Sequence, residues 1–239
     1  MSEALQVEVW SDVVCPWCYI GKRRLEAAVD RFEHHVEVTW RSFQLDPSAP
    51  TEGGGDTATE LGRKYGGGRE NALAMMAQVS AVAAQDGLEY HLDRTTQLNT
   101  RDAHRLLHLA HELGGAPLQG ALKERLMRAY FTETLVVSDH AVLERLAVDA
   151  GLPAERVREV LASSQFDAEV ETDQREAAAL GATGVPFFVI DRRYGVSGAQ
   201  PAELFDQALR QAWDDRKPAL ITPVVSSAAS ADVCGPDGC

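Results

Sequence analysis

The order of apolar and polar positions divides the chain into a strand-bearing beginning, a long helical middle and a strand-bearing end. Gln6–Trp10 alternates in polarity, the period of a half-buried strand. After Ser11–Val14 the period becomes helical. Ile20, Leu25, Ala28, Val29 and Phe32 form one face, and Lys22, Arg23, Arg24 and Asp30 the other. Pro16 suits the first helical position, where its missing N–H costs nothing. A second strand is expected at Val36–Phe43, followed by a loop at Asp46–Gly55 with its prolines and glycines. From Thr57 to about Leu180 the pattern reads as helical throughout. Its segments are Glu70–Gln85, Arg101–Leu113 (started by Asn99 or Thr100, stopped by Gly114 and Gly115), Pro117–Tyr130, a helix from Ser138 or Asp139 to Ala150, a short one opened by Pro153, and Phe166–Leu180. Gly66–Gly68 is a helix break. It neither follows a strand nor precedes Lys-Ser or Lys-Thr, so it is no phosphate cradle.

Strand character returns at Pro186–Ile190, with a turn at Asp191–Arg193, a pairing strand at Tyr194–Ser197 and a last helix at Glu203–Asp214. Neither strand-bearing end can bury a sheet alone, so the two must pair. The fold class is therefore α/β, with residues 1–50 and 181–216 forming one discontinuous domain and residues 51–180 an all-helical insertion with its return helix. Residues 217–239, rich in Pro, Ser, Ala and Gly, read as a flexible tail.

Charge narrows the partners. With 23 basic and 36 acidic residues the net charge is −13, which disfavours nucleic acid and anionic membrane surfaces. No run approaches the roughly 18 apolar residues of a membrane span. The first ten residues have neither a basic nor an apolar signal-like region, so a cytoplasmic protein is expected. The four cysteines, Cys15, Cys18, Cys234 and Cys239, form two close pairs rather than a disulfide scaffold.

Cys15-Pro16-Trp17-Cys18 carries the chemistry. The pair sits between a strand and a helix, where unpaired N–H groups and the helix dipole favour a thiolate. Cys15, at the helix start, is the expected exposed nucleophile. Cys18, one turn further in, would resolve the mixed disulfide. Zinc bound by four cysteines would need the terminal pair to fold back and would abolish the nucleophile, so no metal is expected. His104, His108 and His111 share a helical face at a spacing that could hold a metal, but they read as the polar face of an amphipathic helix opposite Leu106, Leu109, Ala110 and Leu113.

The segment Trp10-Ser-Asp-Val-Val-Cys-Pro-Trp-Cys-Tyr-Ile-Gly resembles the active-site segment of the DsbA-like branch of the thioredoxin superfamily, and within it the FrnE-type proteins. Gly184-Val-Pro-Phe-Phe188 is similar to the family's cis-proline loop. Ala129–Glu133 and Val196–Pro201 also resemble family segments. The resemblance spans about residues 5–216. It implies a thioredoxin fold interrupted by a helical insertion, and a thiol–disulfide oxidoreductase. It also implies protein or peptide disulfides as substrates, and no tightly bound cofactor beyond the redox-active disulfide. Glutathione or a thioredoxin-type protein would supply electrons.

Around the dithiol, Val185 and Pro186 would form the cis-proline edge that pairs with substrate backbone, since X–Pro is the bond that can be cis at modest cost. Trp17 would be a partly exposed apolar lip. Asp12, three residues before Cys15, would modulate a thiol or relay its proton, or merely close a turn. Asn99, first of all an N-cap candidate, borders the site if the likeness to glutathione-dependent isomerases of the superfamily extends to it. Cys234 and Cys239 flank a Gly-Pro-Asp-Gly turn and are a candidate auxiliary dithiol. The competing functions are a glutathione-dependent small-molecule isomerase or transferase, against which Cys15 stands because that class resembles this fold with serine at the attacking position, and a redox-inactive, chaperone-like binding module.

Overall fold

A computed structural model describes residues 4–216 of the chain; Cys234 and Cys239 lie outside the described residues. The sheet is built from β1 (Leu5–Ser11), β2 (Val36–Ser42), β3 (Phe187–Ile190) and β4 (Tyr194–Ser197), in the order β2-β1-β3-β4. β1 runs parallel to β2 and antiparallel to β3, and β3 pairs antiparallel with β4. The two ends of the chain thus share one sheet. Between them lie α1 (Pro16–Val29), α2 (Thr57–Tyr65), α3 (Gly68–Gln85), α4 (Arg101–Phe131), α5 (His140–Asp149), α6 (Ala154–Leu161) and α7 (Asp167–Ala179); α8 (Ala202–Asp214) follows β4. This is a DsbA-like thioredoxin fold, a small mixed sheet interrupted by a helical insertion.

Strand periodicity decides which side faces what. Leu5, Val7 and Val9 of β1, with Phe188 and Ile190 of β3, form one core with Leu25 and Ala28 of α1 and Phe205 and Leu209 of α8. Full burial of a side chain such as Phe188 or Phe205 contributes roughly 1.5–3 kcal/mol. The alternate positions Trp10, Phe187 and Val189 bury against Ala177 of α7 on the other face. There the Trp10 indole N–H donates to the Asp173 carbonyl, N···O 2.8 Å. A third core fills the helical insertion and extends to Cys15, Cys18, Tyr19 and Ile20, so the dithiol sits where sheet domain and insertion meet.

One expectation differs, while the helix breaks at Gly66–Gly68 and Gly114–Gly115 and a cap at Asp139 fall as expected. The middle of the chain is not helical throughout. α2 and α3 are separate, broken at Gly66 and Gly67 with their positive φ, and residues 86–100 are not helical apart from a 3-10 turn at Leu92–Arg94. In α4 the break falls at Gly115, whose φ of 63° and ψ of −158° interrupt an otherwise helical run just before Pro117. Asp139 caps α5 by accepting from the Val142 N–H at 2.9 Å. Among the described residues no helix is long and apolar enough to cross a membrane.

The outer edge of β2 is closed by side chains. The Gln119 amide of α4 accepts from the Trp40 N–H and donates to the Trp40 carbonyl, each at 2.9 Å. Asp173 of α7 accepts from the Ser42 N–H at 2.8 Å. Gln119→Leu would strand two buried backbone groups and should lower the free energy of unfolding by about 2–4 kcal/mol in urea titrations. A loss below about 0.5 kcal/mol would show that the amide does not hold this edge.

Candidate active site

Cys15 is the N-cap of α1, with extended backbone angles (φ −87°, ψ 114°) and Pro16 behind it at the first helical position. The turn into the helix is closed by the Cys15 N–H on the Asp12 carbonyl at 3.3 Å and the Cys18 N–H on the Cys15 carbonyl at 3.0 Å. The two sulfurs are not bonded to each other. Cys15 is only 4% exposed and Cys18 fully buried. Cys15, expected to be the exposed thiol, is thus buried almost as fully as Cys18.

The physical reason is the loop before β3. The Val185–Pro186 peptide bond is cis, and the Cys15 thiol donates to the Val185 carbonyl, S···O 3.8 Å. This loop packs directly on α1. A Cβ on Gly21 would lie 3.0 Å from Pro186 Cγ and 3.1 Å from Phe188 Cζ, so glycine is what lets α1 approach. Trp17, between the cysteines, is 41% exposed.

Behind the sulfurs lies a buried charge cluster. Lys123 of α4 is fully buried. Its Nζ donates to the Ser11 carbonyl at 3.3 Å and lies 5.7 Å from the Trp40 ring centroid. So little solvation lowers its pKa to about 8; burial is the cause, opposed by the charges of Cys18 and Asp12. Burial pushes the Cys18 thiol well above its ordinary range, with the Cys15 sulfur adding to the shift. The Lys123 charge and the Asp12 N–H oppose it. Cys18 therefore waits as a thiol beside an ammonium that would stabilise its thiolate.

Asp12 is buried and bound on both oxygens, by His104 Nε2 at 3.3 Å and the Leu45 N–H at 2.8 Å. Burial alone would raise its carboxyl. The His104 and Leu45 bonds and nearby Lys123 outweigh that and hold it below its ordinary value. Burial lowers the His104 pKa despite Asp12. His104 Nδ1 has no protein hydrogen-bond partner, which favours a neutral ring donating through Nε2.

The histidine face of α4 is thus not a solvated polar face. His104 contacts Asp12, and His108 Nε2 lies 3.1 Å from both the Ser42 hydroxyl and Asp173. Leu113, placed on the apolar side, is largely exposed. The helix crosses the interior, so both of its sides are buried there. No group of three or more possible metal ligands occurs among the described residues. The N-cap of α4 is Thr100; Asn99 accepts from the Arg101 N–H and spends the rest of its amide on Gln44, Pro47 and Ala49. It stands one step out from the dithiol, reaching Asp12 through the Gln44–Leu45 stretch.

The structure therefore brings together Cys15, Cys18, Asp12, Val185 and Pro186, and adds Lys123, His104 and Gly21. Lys123 carried a legible signal: it lies on the same helical face as Gln119, Leu126, Met127 and Tyr130, a lysine inside a buried stripe.

A family model described as the DSBA-like thioredoxin domain matches residues 6–210. The chain belongs to this DSBA-like family. A probable DsbA oxidoreductase from Streptomyces coelicolor is 48% identical over 98% of each chain, with a TM-score of 0.84. The cytosolic disulfide reductase DsbM from Pseudomonas aeruginosa, solved with GSH, is 20% identical with a TM-score of 0.64, over 88% of this chain and 100% of that one. The uncharacterized protein YwbO of Bacillus subtilis (strain 168) is 24% identical over 86% of this chain and 96% of its own. The matched region holds all four strands, apart from Leu5 at the start of β1, and the Cys15–Cys18 pair.

Lys123 gives a testable dependence on pH. Its folded pKa of about 8 is below the unfolded value, so its protonation favours the unfolded chain. That cost is absent above the unfolded pKa of about 10.4, grows as pH falls to about 8 and is constant below. Lys123→Met should therefore be more stable than the wild type at pH 7, by up to about 3 kcal/mol. The difference should shrink towards pH 10.5. A difference independent of pH would contradict the assignment.

Proposed function

We propose that the protein is a cytoplasmic thiol–disulfide oxidoreductase, acting as a reductase or isomerase on protein or peptide disulfides. The observation that carries this is the pairing of Cys15, at a helix start against the Val185 carbonyl of a cis-proline loop, with a buried Cys18 behind it. Two close cysteine pairs fit a reducing compartment better than a disulfide scaffold, and DsbM is by its title a cytosolic disulfide reductase.

The Cys15 thiolate attacks one sulfur of a substrate disulfide. A Cys15–substrate S–S bond forms and the other substrate sulfur leaves as a thiolate, taking up a proton. Ionisation of Cys15 also removes the S–H that occupies the Val185 carbonyl, leaving that oxygen to accept from a substrate backbone N–H. In reduction, Cys18 loses its proton, stabilised in doing so by Lys123, and attacks Cys15. A Cys15–Cys18 disulfide forms and the second substrate thiolate departs. Two electrons have passed to the substrate, and two equivalents of a thiol such as glutathione, or one dithiol of thioredoxin type, return them. In isomerisation a substrate thiol attacks the mixed disulfide instead, and Cys15 is released unchanged.

The test is insulin disulfide reduction beside reactivation of scrambled ribonuclease, with glutathione as reductant. Wild type should accelerate at least one reaction at least tenfold. Cys15→Ser should abolish it, and Cys18→Ser should accumulate a mixed disulfide at Cys15. Rates equal to the glutathione background in both assays would refute the proposed activity.

A further inference from the structure

Tyr90 is far from the dithiol motif in sequence, on the stretch between α3 and the 3-10 turn. Its hydroxyl nevertheless donates to the Pro16 carbonyl inside that motif, O···O 2.8 Å. The ring is buried, stacked on Phe131 of α4 and Tyr19 of α1 with centroids 4.7 Å and 6.1 Å away. Its own stretch is fastened to the end of α4. The His91 N–H donates to the Phe131 carbonyl at 2.8 Å, and the Thr132 hydroxyl to the Glu89 carbonyl at 2.7 Å. The hydroxyl is thus held against Pro16 by a packed frame. Burial, then the charges of Cys15, Tyr19 and Cys18, keep its pKa above the ordinary tyrosine range, so it retains the proton it donates.

The acceptor matters because the Pro16 carbonyl and the Trp17 N–H belong to one peptide unit. Trp17 is the second residue of α1, and the first N–H groups of a helix have no acceptor within it. The N–H at this position is one that an N-cap side chain can accept from; the N-cap here is Cys15, which as a thiol makes no such bond and donates to the Val185 carbonyl instead, so the Trp17 N–H is left for the thiolate. A hydrogen bond to the carbonyl polarises the peptide and strengthens its N–H as a donor.

We infer that Tyr90 is a positioning residue for thiol–disulfide exchange, stabilising the Cys15 thiolate through the Pro16–Trp17 peptide. The inference rests on the redox assignment of Cys15 and Cys18, but its readouts are taken on the protein alone. When Cys15 enters a disulfide it loses its charge, and the stabilisation goes with it. A stabilised reduced form makes a stronger oxidant, so the Tyr90 hydroxyl should shift the dithiol–disulfide equilibrium towards the dithiol.

Tyr90→Phe removes the donor and keeps the ring, leaving Cys18, Tyr19, Arg23, Asp12, His104 and Lys123 in place. The measurements are the rate of iodoacetamide alkylation at Cys15, located by peptide mass spectrometry at pH 6 and pH 9, and the Cys15–Cys18 equilibrium with glutathione. The variant should lower the ratio of the pH 6 rate to the pH 9 rate about two- to fivefold, and move the equilibrium towards the disulfide by a similar factor. Tyr130→Phe, which removes another buried hydroxyl, one that donates to the Thr96 carbonyl outside the dithiol motif, should leave both at wild-type values. A wild-type ratio and equilibrium in Tyr90→Phe, or an equal fall in Tyr130→Phe, would overturn the inference. If the ratio falls as expected in a protein that neither reduces insulin nor reactivates ribonuclease, the Tyr90 inference stands and the proposed substrate class fails.

Discussion

The start of α1 must satisfy three neighbours at once, and the rest of the structure is arranged around that requirement. Cys15 has to stand at the N-cap of the helix, beside its first N–H groups that lack an acceptor within the helix. The same sulfur has to meet the cis-proline loop, and Cys18 has to fall inside the protein rather than on its surface. Pro16 fixes the first helical residue, and Gly21 provides the gap into which Pro186 and Phe188 pack. Because the loop belongs to the last third of the chain and α1 to the first, the site exists only when β1 and β3 have paired. The fold and the dithiol geometry are therefore one constraint.

The helical insertion does more than cover the sheet. It delivers Lys123 and His104 from α4 to the side of the dithiol that is closed to solvent. A buried ammonium with one hydrogen bond costs stability. The nearby charge of Asp12 offsets part of the lysine's cost, and the lysine gives Cys18 a positive charge to ionise against. The cluster fits a site where stability is given up for chemistry. The wide charge excess of the surface has no comparable role here; the site depends on a few charges that water cannot screen.

Much of this was legible in the sequence, for identifiable reasons. The strands and their pairing followed from period-two runs at both ends, and α1 from Pro16 and its apolar stripe. The site core followed because its chemistry is local: two cysteines one helical turn apart, and a proline before an apolar strand. What was not legible was tertiary. His104 and His108 looked like a solvated face because a helix crossing the interior can satisfy polar side chains with buried partners, here Asp12 and Asp173. The stripe around Lys123 is visible in the sequence, but a charged residue in such a stripe usually reaches water, and only the tertiary packing closes this one in. The near-burial of Cys15 depends on a loop some 170 residues away. Tyr90 and Gly21 carry no local motif, and their importance appears only when their contacts are known.

The central claim is that Cys15 is the attacking sulfur and Cys18 the shielded one. The most direct measurement is competitive alkylation of the fully reduced protein at mildly acidic pH, with each labelled cysteine identified by peptide mass spectrometry. Cys15 should be modified well before Cys18, since only Cys15 combines a helix-start position with any access to solvent. Equal labelling of the two, or earlier labelling of Cys18, would contradict the account.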